Sequence, residues 1–157
     1  MTKDTSRRQA VSELESHLGF WLRFVSNHVS ASFAAAIEGN GVSVSEWVAL
    51  RHLFDHSESS AAELMAALGM TKGAVSKVVT RLEEKGLVER AMAVMDKRAQ
   101  SVGLTKAGEA LVPKLAALAD QNDADYFGHL RPSQREALTA MMKELVAVHR
   151  LKEVPVN

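Results

Sequence analysis

The sequence has no cysteine among its 157 residues. That absence removes disulfides, thiol nucleophiles, thiolate metal ligands and cysteine redox sensing together. No apolar run approaches the roughly 18 residues needed to cross a bilayer. The opening segment, MTKDTSRR, lacks the apolar stretch of a secretion signal. A cytoplasmic protein with no membrane partner is expected. There is no phosphate-cradling glycine loop, no nucleophile motif and no pair of carboxylates with an obvious cleft, so neither an enzyme nor a cofactor is expected. Asp120, Asp123 and Asp125 read as a solvated acidic face. Internal repeats and low-complexity linkers are also missing. Net charge is zero, with 19 Lys and Arg against 19 Asp and Glu, which at first argues against a nucleic-acid partner.

What is present reverses that argument. Apolar residues at 46% and charged residues at 24% fit one soluble domain, residues 1–157, with a real core. Charge is unevenly distributed. Between Met70 and Lys106 stand eight basic residues (Lys72, Lys77, Arg81, Lys85, Arg90, Lys97, Arg98, Lys106) and four acidic ones (Glu83, Glu84, Glu89, Asp96), a local excess of four. A basic segment in an acidic frame can turn one face to phosphate.

Hydrophobic periodicity predicts about six helices. Val11, Leu14, Leu18, Trp21, Val25, Val29, Phe33 and Ile37 keep the three-four spacing of one helix over 11–38, which the Gly and Asn of residues 39–41 end. Ser43 with Glu46 reads as a capping box opening a helix to about Asp55 that buries Trp47, Leu50, Leu53 and Phe54. Ser60 with Glu63 opens a second, with Leu64, Met65 and Leu68 inside. Gly69 breaks it, Thr71 caps a helix over 72–85, and Gly86 follows. Residues 87–91 and 101–104 read as two strands around a basic loop. Thr105 caps a long helix towards Tyr126 or Phe127, with Leu111, Leu115, Leu118 and Ala119 as its stripe and Pro113 as the site of a kink. Pro132 opens a last helix to about Arg150.

Two short helices joined by Gly69, Met70 and Thr71 suit a helix-turn-helix. In the second, Val75, Val78, Val79 and Leu82 form an apolar face. Gly73, Ser76, Lys77 and Thr80 fall opposite, flanked by Lys72 and Arg81. Small residues permit close approach to a groove, while hydroxyl, ammonium and guanidinium groups donate to phosphates and base edges. A hairpin after such a helix is a wing, whose Lys97 and Arg98 form a basic tip, with Asp96 placed to hold a cation.

Residues 64–90, LMAALGMTKGAVSKVVTRLEEKGLVER, with Asp96, Lys97, Arg98 and the following LTKAG at 104–108, resemble the MarR family of winged helix-turn-helix transcriptional regulators. Helix order and length agree over about residues 11–150. The resemblance implies a mainly α fold with a small β-hairpin wing, a winged-helix region at 43–104 and dimerisation helices at 11–38 and 105–150. It also implies a homodimer acting as a repressor on a pseudo-palindromic operator in double-stranded DNA. By that likeness Thr71, Lys72, Ser76, Lys77, Thr80 and Arg81 contact the major groove, Arg98 reaches the minor groove, and Asp96 positions the wing. The first and last helices look too apolar to be covered by one chain's core, which fits a dimer.

Family members are often released from DNA by phenolic or aromatic acids. Trp21, Asn27, His28, Trp47, Arg51 and His52 are candidates to line such an effector pocket, since aromatics beside a cation suit an aromatic carboxylate; tryptophans at helical spacing are more often simply core. His52 and His56 have the four-residue spacing of two metal ligands, and His17 with Glu13 could approach them. No carboxylate-histidine cluster is clear, so no metal site is assigned and a metal-responsive regulator stays an alternative. His129 and His149 read as surface residues. A winged helix serving as a protein-interaction module without DNA specificity is the alternative from another class.

Overall fold

The computed structural model describes residues 11–92 and 100–152. Its helices are α1 (Leu18–Glu38), α2 (Val44–Asp55), α3 (Ala61–Leu68), α4 (Lys72–Glu84), α5 (Lys106–Phe127) and α6 (Pro132–Val148). Three short strands accompany them: β1 (Ser59–Ser60), β2 (Val88–Met92) and β3 (Gln100–Leu104). The predicted caps form. Ser43 and Ser60 each accept from the backbone of Glu46 and Glu63, whose carboxylates reach back in complete capping boxes. Thr71 Oγ1 accepts from Ala74 N at 3.3 Å and Thr105 Oγ1 from Gly108 N at 3.1 Å. Gly69 ends α3 at φ 63°, a left-handed conformation that glycine adopts without steric cost.

Four expectations need correction. The first helix does not begin at residue 11. A single 3-10 turn, Leu14–Ser16, precedes an extended His17, and α1 starts after it. Ser16 Oγ donates to Glu13 O at 2.6 Å and the His17 ring nitrogen to the same carbonyl at 3.0 Å. These local bonds compete with the helical ladder. The last helix stops at Val148 rather than Arg150. The wing is not a lone hairpin: β1 adds a third antiparallel strand in the order β1-β3-β2, pairing Ser59 with Val102. Finally, Phe54 is exposed and Trp47 only half-buried, while Ala49 takes the inward position on α2.

The core gathers Ile37 of α1, Leu50 and Leu53 of α2, Leu64 and Leu68 of α3, Val75, Val78, Val79 and Leu82 of α4, Val88 and Val102 of the sheet, and Val112 and Leu115 of α5. A buried aliphatic side chain contributes about 1.5–3 kcal/mol, so this cluster fixes α4 against α2 and α3. Helix α5 passes through Pro113 as one element and crosses close to the sheet. A Cβ on Gly108 would stand 2.1 Å from Leu87 O, so only glycine allows this approach. Helix α6 has no buried residue.

Candidate nucleic-acid interface

Helix α4 divides sharply. Val75, Val78, Val79 and Leu82 are buried, while Thr71, Lys72, Gly73, Ser76, Lys77, Thr80 and Arg81 are all exposed. The sequence expected the same two faces, and the structure brings these seven residues together on one side of one helix. Among the described residues, Lys72, Lys77 and Arg81 have no ion-pair partner. A Cβ on Gly73 would meet nothing within 4 Å, so the space over its backbone is open to a partner. Asp96, Lys97 and Arg98 lie outside the described residues.

Helix α4 is held at two places. At its C-terminus Lys85 Nζ donates to Gly41 O and to Glu46 Oε2, both at 2.7 Å. The side chain of Glu46 is 3% exposed, so this ion pair ties α4 to the start of α2. Midway along the helix, Arg90 of β2 donates to Thr80 Oγ1 at 3.2 Å and faces both carboxylate oxygens of Glu83 at 3.4 Å. Sequence reasoning had counted Lys85 and Arg90 only as positive charge. A signal for Arg90 was available: it stands two residues after buried Val88 on β2, so strand alternation turns it towards the body of the protein. Nothing local in the sequence announced the Lys85–Glu46 pair, which spans 39 positions.

The six effector candidates are spread over separate surroundings. Trp21 is exposed among Phe20 and Phe24, with Nε1 donating to Glu15 O at 2.8 Å. His28 packs against Phe24 with ring centroids 4.9 Å apart, and Asn27 is exposed beside it. Trp47 meets Phe33 edge-on at 6.3 Å. Arg51 pairs with Asp55 at 2.8 Å and lies over the Phe54 ring; its hydrogen bond holds the Asp55 carboxyl below the usual carboxylate range. His52 and His56 stack at 4.3 Å, with His52 Nε2 3.1 Å from Ser59 Oγ. Burial, then the neighbouring His56, lowers the His52 pKa below its ordinary 6.5. Among the described residues no three His, Asp or Glu side chains converge as a metal site. A cavity of about 240 Å³ lies between α1 and α5, lined by Val29, Ser30, Phe33, Ala119, Asn122 and Asp123.

A helix-turn-helix buried on one face and cationic on the other, followed by a small antiparallel sheet, is the geometry of a winged helix. The family model described as the MarR family matches residues 40–99, the span from the start of α2 into the wing. Over that span the chain is similar to the MarR family. That family is one of transcriptional regulators rather than enzymes. An HTH-type transcriptional repressor of Mycobacterium tuberculosis is 29% identical over 131 residues, covering 83% of this chain and 94% of the relative. The Bordetella bronchiseptica regulator BpsR, whose structure addresses regulation of DNA binding by 6-hydroxynicotinic acid, aligns with a TM-score of 0.75 at 25% identity over 87% of this chain and 97% of its own. Staphylococcus aureus MepR, solved with DNA, shares the fold at a TM-score of 0.76 and 21% identity, over 84% of this chain and 98% of its own. Among the described residues no helix is long and apolar enough to cross a membrane.

Proposed function

We propose that this chain is a repressor that binds a pseudo-palindromic DNA operator as a homodimer and leaves it when a small aromatic acid binds. The observation that carries the reading is the exposed face of α4, where Lys72, Lys77 and Arg81 stand without carboxylate partners among the described residues around the small polar surface of Gly73, Ser76 and Thr80. Cations on such a face exchange condensed counterions for phosphate contacts, and the small residues let the helix enter the major groove. Lys97 and Arg98 add basic residues close by in the sequence, and the family likeness assigns Arg98 to the minor groove and Asp96 to positioning the wing. The dimer follows from apolar surface. Leu18, Trp21, Phe24 and Val25 of α1 and Met141, Met142, Leu145 and Val146 of α6 are all more than 40% exposed, and a second copy is the partner that covers both helices by symmetry. Such a dimer sets two recognition helices roughly 34–36 Å apart, one turn of DNA.

The effector class follows the Bordetella regulator, whose DNA binding responds to an aromatic acid. The cavity between α1 and α5, with Phe33 and Asn122 in its wall, is the candidate place for it, although none of the six residues expected from the sequence lines it. DNA retention across a salt series tests the core of this reading. Lys77→Ala should lower the slope of log affinity against log salt by about one, and unchanged affinity and slope in Lys77→Ala and Arg81→Ala would remove α4 from the interface.

A further inference from the structure

Arg90 occupies an unusual position for a basic residue beside a cationic face. It belongs to the wing strand β2, opposite Val102 of β3, yet its guanidinium reaches across to the recognition helix. Nη2 donates to Thr80 Oγ1 at 3.2 Å and approaches Ser76 O at 3.5 Å, while Nη1 lies 3.4 Å from both oxygens of Glu83. The side chain is 28% exposed. Glu83 therefore offsets the charge of Arg90, and the planar fork serves as a brace between wing and helix.

The brace has a consequence for Thr80. A threonine hydroxyl inside a helix commonly gives its hydrogen to the carbonyl four residues back, here Ser76 O. That carbonyl already takes the helical N–H of Thr80 and faces Arg90. Guanidinium can only donate, so it occupies a lone pair of the Thr80 hydroxyl and leaves the hydroxyl hydrogen to point away from the helix. Resting on the DNA reading above, we infer that Arg90 is a positioning residue that fixes Thr80 as a hydrogen-bond donor to a base-edge acceptor in the major groove. The acceptors of that chemistry are purine N7, guanine O6 and thymine O4, which the free hydroxyl hydrogen favours over the amino groups of cytosine and adenine.

The test compares wild type, Arg90→Lys, Arg90→Met, Thr80→Val and the Arg90→Met/Thr80→Val pair. Each is titrated with the DNA that wild type selects from a random pool and with that DNA's single-base variants, at several salt concentrations. Thr80→Val should lose about tenfold in affinity for the selected site and flatten discrimination at one base position in each half-site. Arg90→Met should lose discrimination at that same position with its salt slope unchanged, and the double variant should be no weaker than Thr80→Val alone by more than about twofold. Arg90→Lys should fail to restore the discrimination, because one ammonium cannot span Thr80 and Glu83; it keeps the comparison available if Arg90→Met proves unstable. A wild-type profile in Arg90→Lys with a slope lowered by about one in Arg90→Met would make Arg90 a phosphate contact and overturn the inference. Multiplying losses in the double variant, or equal losses on every sequence, would also overturn it. Selection of no sequence by wild type would overturn the DNA reading itself, whereas selection with an unchanged profile in Arg90→Met would sink only the role of Arg90.

Discussion

The winged-helix segment and the exposed faces of α1 and α6 treat their apolar residues in opposite ways. Leu64 and Leu82 of the segment are 0% exposed, whereas Phe24 of α1 and Leu145 of α6 are 52% and 44% exposed. The first region completes its core within one chain. The second leaves apolar faces exposed, and α6, at 17 residues with no buried side chain, is close to the length at which an isolated helix is marginal in water. Its ties to the rest of the chain are local and polar: Gln134 caps the backbone of Arg131, and Arg135 pairs with Asp123 of α5. The difference separates two jobs. The winged helix has a fixed shape to present α4, and on the dimer proposed above a second copy covers α1 and α6.

Substitutions can break that comparison. Leu82→Ala removes a fully buried side chain and should destabilise the protein by about 2–5 kcal/mol in urea unfolding; a loss below about 1 kcal/mol would mean the segment's core is not as closed as its burial implies. Leu145→Glu acts on the other region. It should convert the species seen in sedimentation from twice to once the 17.1 kDa chain mass, with self-association weakened by about 100-fold or more. A Leu145→Glu protein that still sediments as a dimer would place the interface elsewhere.

Smaller changes sharpen the contrast within the winged helix. Gly73→Ala finds open space at its Cβ and should stabilise the free protein by up to about 1 kcal/mol through helix propensity. The same methyl stands where a groove must approach, so DNA affinity should fall while thermal stability rises. A rise in both would exclude close backbone approach at Gly73.

The smallest effect concerns His52. Its pKa is lowered in the folded protein by burial and by His56, against the opposing pull of Glu63 and Asp55. The unfolded chain therefore binds more protons, and the stability that neutral His52 supplies is present above about pH 6.5 and declines as pH falls towards the folded value. His52→Asn should show a shallower loss of melting temperature than wild type over that window, and identical pH profiles would rule out the contribution.

Much of this was readable from local rules. Ser43, Ser60, Thr71 and Thr105 announce their helices because a capping side chain acts within three residues, and Gly69 and Gly86 mark turns through backbone freedom alone. The two faces of α4 follow from the 3.6-residue period. What escaped depended on distance in the chain. Strand β1 is two serines whose identity as a strand comes from pairing with β3, and the Lys85–Glu46 and Arg90–Thr80 contacts join separate elements. The late start of α1 escaped for another reason: Ser16 and His17 return hydrogen bonds to Glu13 O, and an apolar stripe running on through Val11 and Leu14 conceals that competition. The six effector candidates shared helical faces in the sequence, yet Trp47 turns to Phe33 and Arg51 to Asp55, partners that face-sharing along a single helix does not reveal.

The most direct test of the account is selection of bound fragments from a random pool of double-stranded DNA by the full chain. The account predicts a twofold-symmetric motif with half-site centres about 10–10.5 base pairs apart, lost when Lys77 is replaced by alanine. A pool that shows no enriched sequence after repeated rounds would contradict it.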